Sequence, residues 1–292
     1  MNVIKKEDFL AKTWRYPGGE LGVDLNLDLC KSMGEDDVVL FRVESTEDVF
    51  TLMAVCYYIN QSDDWPEDGY TELSPKIKLL VPYCPYLRED SPKNGRVAFG
   101  KYIVDSCVEG YAAIVMPHAK LNKDNWHGDA RFIYPYIDEG INRIIKKYVA
   151  DAGITHPLFI FPDKSARGRY ADSLEGLMYH PSHPIKVRDP QTGKITKYEI
   201  PLDLDSYLHG RDVVVLDDIC DGGATFGLLA KAILPTAPSC NLHLFTPHGI
   251  YSGNAENNLG AYTSIACLNT VREEVRQVHP YQFIYDVEEL VR

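Results

Sequence analysis

Apolar residues in this chain recur in two rhythms that alternate along its length. Short, mainly apolar runs at 38–43, 77–81, 112–116, 157–161, 213–216, 241–246 and 265–268 have the length and branched content of buried strands. Between several of them the spacing changes to that of a helix with one apolar face, at 46–60, 97–107, 137–153 and 226–234. Thr46 is expected to cap the first of these helices, with acids in its first turn, and Pro235 to close the last. Residues 21–29 read as a short alternating strand. Residues 185–200 read as two alternating arms about a Pro-Gln-Thr-Gly turn, a β-hairpin. The last twenty residues read as a strand and a helix. Acidic, turn-rich residues 61–74 and polar residues 119–131 are expected to be loops. This alternation predicts the α/β class. A boundary at 134–136 divides the chain into 1–135 and 136–292, each of ordinary domain size.

One run is set apart by the residues after it. Val213, Val214, Val215 and Leu216 lead into Asp217 and Asp218, then Asp221-Gly222-Gly223-Ala224-Thr225, then the helix beginning near Phe226. A strand, a small-residue loop and a helix N-terminus make an anion site, because free N–H groups and the helix dipole both favour negative charge. Glycines let the backbone approach a phosphate closely. The paired aspartates add oxygens able to hold sugar hydroxyls or a hard cation such as Mg2+. The plain alternative is a buried strand and turn of an α/β domain.

Net charge of −12 argues against a nucleic-acid surface. No stretch is long and apolar enough to span a membrane, and the first residues lack a signal-peptide core. The seven cysteines (30, 56, 84, 107, 220, 240 and 267) form no C-x-x-C pair, so neither a disulfide scaffold nor a zinc site is expected. These features predict a reduced, cytoplasmic protein.

The stretch 213–225 resembles the motif that binds ribose 5-phosphate or its pyrophosphate in type I phosphoribosyltransferases and in the ribose-phosphate pyrophosphokinases. It departs from the motif at Gly222, where the family has Thr. Further segments resemble the pyrophosphokinases in order. Arg15-Tyr16 through Glu20 is similar to the Arg-Phe-Ser-Asp-Gly-Glu segment, whose aromatic ring stacks on adenine from a neighbouring subunit; Pro17 and Gly18 depart from it. Pro82-Tyr83-Cys84-Pro85-Tyr86-Leu87-Arg88-Glu89-Asp90 is similar to the ATP-contacting Pro-Tyr-x-x-Tyr-Ala-Arg-Gln-Asp, with Glu89 replacing the Gln. His118 matches the family histidine beside the triphosphate and metal. Asp163 matches a carboxylate near the ribose, with Arg169 following at the expected distance, although Ser165-Ala166 replaces a Gly-Gly pair. Lys186 and Arg188 match a Lys-x-Arg pair on a mobile catalytic arm. His248 to Ser252-Gly253 and Asn269-Thr270 match two later segments.

The resemblance implies two tandem phosphoribosyltransferase-like domains, each a mainly parallel sheet flanked by helices. The first would face ATP and the second ribose 5-phosphate. It implies an Mg2+-dependent transfer of the β,γ-diphosphate of ATP to the C1 hydroxyl of a ribose 5-phosphate group, with release of AMP. Lys186, Arg188 and His118 would be catalytic; Tyr16, Glu20, Arg88, Glu89 and Asp90 would bind ATP. Asp163, Asp217, Asp218, Asp221, Gly222, Gly223, Ala224 and Thr225 would bind the ribose phosphate, and His118 and Asp163 the metal. A homodimer or larger homo-oligomer is implied. Three alternatives stand beside this reading: the same transfer to ADP-ribose, a phosphoribosyltransferase, and a non-catalytic regulatory homologue. Gly222 and Ser165-Ala166 motivate the first.

Overall fold

A computed structural model describes residues 2–34, 36–61, 77–83, 85, 113–115, 134–192 and 195–291. The chain divides into two compact units, Met1–Pro135 (with Arg292) and Tyr136–Val291. Among the described residues no helix is long and apolar enough to cross a membrane, and the five described cysteines are buried and form no disulfide.

The first unit runs β1 (Val3–Lys5), α1 (Lys6–Phe9), β2 (Leu10–Arg15), β3 (Leu21–Leu25), α2 (Leu27–Ser32), β4 (Val38–Leu40), α3 (Thr46–Gln61), β5 (Lys78–Leu80) and β6 (Ala113–Val115). Strands β1, β4, β5 and β6 form one sheet in that order, every pairing parallel. Its apolar residues pack with Phe9, Val49, Leu52 and Cys56 in one core. Two local expectations need correction. The strand expected at 21–29 stops at Leu25, because Asn26 caps a helix there by accepting from the Leu29 N–H at 3.2 Å. The cap of α3 is Ser45, not Thr46: the Ser45 hydroxyl accepts from the Asp48 N–H at 3.1 Å, and the Asp48 carboxylate accepts from the Ser45 N–H at 3.0 Å. This reciprocal pair is a capping box, which outcompetes a lone threonine.

The second unit runs α4 (Tyr134–Asp151), β7 (Pro157–Ile160), α5 (Lys164–Tyr170), β8 (Ile185–Arg188), β9 (Ile195–Glu199), α6 (Leu202–Leu208), β10 (Asp212–Leu216), β11 (Ile219–Cys220), α7 (Ala224–Thr236), β12 (Asn241–Gly249), α8 (Ala255–Leu259), β13 (Ser264–Leu268) and β14 (Gln282–Tyr285). Its sheet has the order β7-β10-β12-β13-β14, parallel throughout, with β11 as a further partner of β12. Strands buried on both faces explain the mainly apolar runs. On one face Leu158, Ile160, Val213, Val215, Leu242, Leu244 and Ile265 pack on α6, α7 and α8. The alternate residues face α4, whose Tyr148 ring lies 6.2 Å from Phe245 and 5.6 Å from Phe283 and whose hydroxyl meets Ser264 Oγ at 2.7 Å.

Helix α7 begins two residues earlier than the sequence pattern implied, and Pro235 lies inside its last turn rather than ending it. The chain continues because the Ala237 N–H still reaches the Ile233 carbonyl at 2.9 Å, one turn back. The C-terminal helix is a 3-10 turn, Val287–Leu290, capped by Asp286. This turn seats on α4 at Gly140, where an added Cβ would lie 2.4 Å from the Leu290 carbonyl oxygen. Alanine is intrinsically favoured over glycine in a helix by about 1 kcal/mol, whereas overpacking against backbone costs about 1–3 kcal/mol. Gly140→Ala should therefore destabilise the protein by up to about 2 kcal/mol in denaturant melts. A raised midpoint would mean that the turn is not seated there.

Candidate active site

The site residues of the second unit lie where parallel strands end. Asp163 follows β7, Asp217 and Asp218 follow β10, Asp221 to Gly223 follow β11, and Ser252 follows β12. In open α/β sheets this carboxyl edge is where ligands bind, because strand ends and helix N-termini converge there.

Asp217 and Asp218 are buried side by side. Arg169 on α5 reaches both: its Nη2 lies 3.1 Å from Asp217 Oδ1 and 3.2 Å from Asp218 Oδ2. One guanidinium facing two carboxylates leaves a buried excess of negative charge. Burial, then the Asp218 charge, pushes the Asp217 carboxyl up from 3.8 to about 8, against the pull of Arg169. The guanidinium is itself held in its charged form: burial opposes this, and Asp218 and Asp217 outweigh it.

Asp163 does two jobs. Its Oδ1 caps α5 by accepting from the Ala166 N–H at 2.9 Å. Its Oδ2 receives Lys186 Nζ at 2.5 Å. Burial opposes its charge, but the Lys186 and Ala166 contacts hold its carboxyl below the usual range. Ser165 and Ala166, which stand where the resembled family has glycines, are accommodated as the first turn of α5. Lys186 is carried by the β8–β9 hairpin, opposite Tyr198. The register slips between Val187 and Arg188, so a bulge interrupts the simple alternation expected for the Lys-x-Arg pair. Lys186 is half-buried and docked, whereas Arg188 is exposed.

The loop 221–225 enters α7 through Gly223, which takes a left-handed conformation with φ of 72°. Glycine adopts this without strain. No side chain caps the helix. Asn258 holds the loop by donating to the Gly222 carbonyl at 2.7 Å, and Ser252 Oγ donates to Asp221 Oδ1 at 2.5 Å. Gly222 is different: a Cβ there would make only ordinary contacts, 3.7 Å from the Ser252 carbonyl oxygen. The backbone does not demand glycine at that position, so its absence of a side chain leaves space beside Ser252.

The structure thus brings Asp163, Asp217, Asp218, Lys186 and the 221–225 loop to one edge of one sheet. Tyr16 and Glu20 lie in the other unit, at the tip of the β2–β3 hairpin, whose turn is closed by the Gly19 N–H donating to the Tyr16 carbonyl at 2.8 Å. The Tyr16 ring is 52% exposed and rests edge-on against Trp14 at 5.7 Å. Arg88, Glu89, Asp90 and His118 lie outside the described residues. Two site neighbours escaped the sequence pattern. Asn258, on short helix α8, carries no motif. Tyr198, opposite Lys186 in the hairpin, is 5% exposed and its hydroxyl has no hydrogen-bond partner among the described residues. Among the described residues no group of three or more His, Cys, Asp or Glu side chains gathers as a metal cage.

No family model matches the chain. It is 29% identical to the ribose-phosphate pyrophosphokinase of Saccharolobus solfataricus over 181 residues, covering 56% of this chain and 59% of that protein. It is 24% identical to the Sulfolobus acidocaldarius ribose-phosphate pyrophosphokinase over 269 residues, covering 90% of this chain and 85% of the other. The Methanosarcina mazei protein of the same name is 25% identical over 252 residues, 85% of this chain and 76% of its own. The crystal structure of phosphoribosylpyrophosphate synthetase from Mycobacterium smegmatis superposes with a TM-score of 0.63 at 18% identity, covering 100% of this chain and 96% of that one, a likeness of fold.

A carboxyl whose pKa is higher folded than unfolded binds its proton more tightly in the native state, so its contribution is complete at low pH and is lost as pH rises towards the folded value. For Asp217 that window runs from 3.8 to about 8. The melting temperature of the wild type minus that of Asp217→Asn should fall steadily across this window and flatten above it. A difference independent of pH would show that Asp217 ionises as an ordinary aspartate.

Proposed function

We propose that this chain, a divergent member of the ribose-phosphate pyrophosphokinase family, transfers the β,γ-diphosphate of ATP to the C1 hydroxyl of a ribose 5-phosphate group and releases AMP. The observation that carries the reading is the order of groups along the carboxyl edge of the second sheet. Asp163 with the Lys186 arm lies at β7, the Asp217–Asp218 pair at β10, and the phosphate loop beyond β11. A sugar phosphate laid across these strands meets each group with its matching part. Its 5-phosphate takes the free N–H groups at the start of α7. Its 2- and 3-hydroxyls donate to Asp217 and Asp218, and its anomeric carbon points towards Asp163 and Lys186.

In this transfer the C1 oxygen attacks the β-phosphorus and the bond from the β-phosphorus to the α-phosphate oxygen breaks, leaving AMP. Such a reaction needs alignment and charge neutralisation more than a covalent nucleophile. Lys186 and Arg188 supply positive charge to the moving diphosphate, with His118 assigned to the same task by resemblance. Mg2+ fits the donors present. It is commonly held by one or two carboxylates together with substrate phosphates rather than by a full protein cage. Asp163 Oδ2 already accepts a cation in the form of Lys186 Nζ, 2.5 Å away. Asp163, with His118, would hold the ion, which would offset phosphate charge. In the first unit Tyr16, Glu20, Arg88, Glu89 and Asp90 are assigned to ATP. Tyr16, exposed at a hairpin tip, suits stacking on adenine across a subunit contact, so a homodimer or larger assembly belongs to the proposal.

A second reading keeps the chemistry and enlarges the acceptor. ADP-ribose also presents a free C1 hydroxyl on a ribose 5-phosphate group, and the space beside Gly222 favours an acceptor whose 5-phosphate is esterified. A phosphoribosyltransferase would not need the Lys186–Asp163 arm contact, and a regulatory homologue would not need Lys186 docked in the site.

Both readings make the same demand on the arm. Lys186→Ala and Arg188→Ala should each lower kcat for AMP release from Mg-ATP by about two to three orders of magnitude, the range for losing one charge-stabilising group. Circular dichroism should be unaltered. Near-normal turnover in both variants would reject the arm as the catalytic element.

A further inference from the structure

Beyond the loop that follows β11, the same sheet edge continues to a cavity of about 400 Å³ lined by Gly249, Tyr251, Ser252, Arg272, Glu274 and Arg276, among others. We infer that this cavity is a subsite for a second phosphoryl group attached to the acceptor's 5-phosphate, with Arg272 and Arg276 as its specificity-determining residues. The subsite presupposes the diphosphoryl-transfer reading and deepens it by naming the class of acceptor.

Strand order sets the direction. The sequence across the edge is β7, β10, β12, β13. With the anomeric end of the sugar at β7 and its hydroxyls at β10, the 5-phosphate reaches the loop beside β12. Neighbouring strands are about 4.8 Å apart, so a group joined to that phosphate is directed on towards β13. Arg272 and Arg276 belong to the segment that leaves the carboxyl end of β13. Ser252 connects the two places: it lines the cavity, and its Oγ donates to Asp221 of the phosphate loop at 2.5 Å. Gly222 adjoins this link, since a Cβ there would lie 3.7 Å from the Ser252 carbonyl oxygen and 3.8 Å from its Oγ. A threonine there would fill space beside Ser252.

The charge is suited to the ligand. Two arginines and one glutamate line the cavity. Arg276 is anchored through Nη1, which donates to the Tyr251 carbonyl at 2.9 Å and the Gly253 carbonyl at 3.3 Å. A guanidinium has five N–H donors in a planar fork, so its other edge remains to meet phosphate oxygens while the first fixes the wall of the cavity. Arg272 lines the cavity and is exposed. A diphosphate bridge places its second phosphorus one oxygen away from the first, which matches a subsite adjoining the phosphate loop. Free ribose 5-phosphate would leave this subsite unused.

The test uses the full chain with Mg-ATP, measuring AMP release with ribose 5-phosphate and with ADP-ribose as separate acceptors, alongside direct titration of each acceptor. In Arg272→Ala and in Gly222→Thr, the ratio of kcat/KM for ADP-ribose to that for ribose 5-phosphate should fall at least tenfold relative to wild type. Arg276→Lys should lower it in the same direction, because an ammonium cannot bind carbonyls and phosphate as a fork. An unchanged ratio in Arg272→Ala and Gly222→Thr would overturn the subsite while leaving diphosphoryl transfer intact. If the wild type turns over neither acceptor, the proposed reaction falls. The subsite is then judged by titration alone: at least tenfold weaker ADP-ribose binding in Arg272→Ala upholds it, and equal binding overturns it.

Discussion

The arrangement of the second unit depends on one interaction, the bridge from Arg169 to Asp217 and Asp218. Two carboxylates at a strand end, both largely removed from water, repel each other and resist ionisation. A single guanidinium within 3.2 Å of each makes the pair tolerable without neutralising it. The residual excess of acceptor oxygens is what a sugar can use, since its hydroxyls are donors. The same bridge ties α5 to the end of β10. Because Asp163 caps α5 and carries Lys186, the position of the hairpin arm is set in turn by the bridge. In the proposed reaction, recognition of the sugar and placement of the cations would therefore be one mechanical system.

Each cation in this system has a carboxylate for company before any substrate arrives. Lys186 rests on Asp163, and Arg169 rests between Asp217 and Asp218. This avoids the cost of burying unpaired charge. In the proposed reaction, substrate binding would therefore exchange partners rather than create charge pairs from nothing. Phosphate oxygens would draw Lys186 away from Asp163, and a divalent cation would take its place on that carboxylate. The bulge between Val187 and Arg188 gives the arm a local irregularity at the point where such a shift is needed.

Much of this was legible in the sequence, for identifiable reasons. The apolar runs at 157–161 and 213–216 had to be strands of a sheet covered on both faces, and they are. Asp217, Asp218 and Gly223 announced themselves because strand end, acidic pair and flexible loop coincide within a few residues. Asp163 and Arg169 were recognisable by the resemblance of their segment to the pyrophosphokinases, but their partners were not: pairing of Lys186 with Asp163 joins positions 23 residues apart, and no local pattern encodes it. Asn258, Arg272 and Arg276 were missed because they sit on segments without a motif and acquire meaning only when strand order brings them to the same edge. The misplaced boundaries, at Leu25, Ser45 and Pro235, all arose where a side-chain cap or an intact neighbouring hydrogen bond overrode residue propensity.

The central chemical claim is that a diphosphate, not a single phosphate, moves from the nucleotide to the sugar. Incubation of the wild-type chain with ATP labelled at the β-phosphorus, Mg2+ and a ribose 5-phosphate acceptor tests it directly. The label should appear on the acceptor as part of a C1 diphosphate, with unlabelled AMP formed in equal amount. Label retained on the nucleotide as ADP, or no transfer to either ribose 5-phosphate or ADP-ribose, would contradict it.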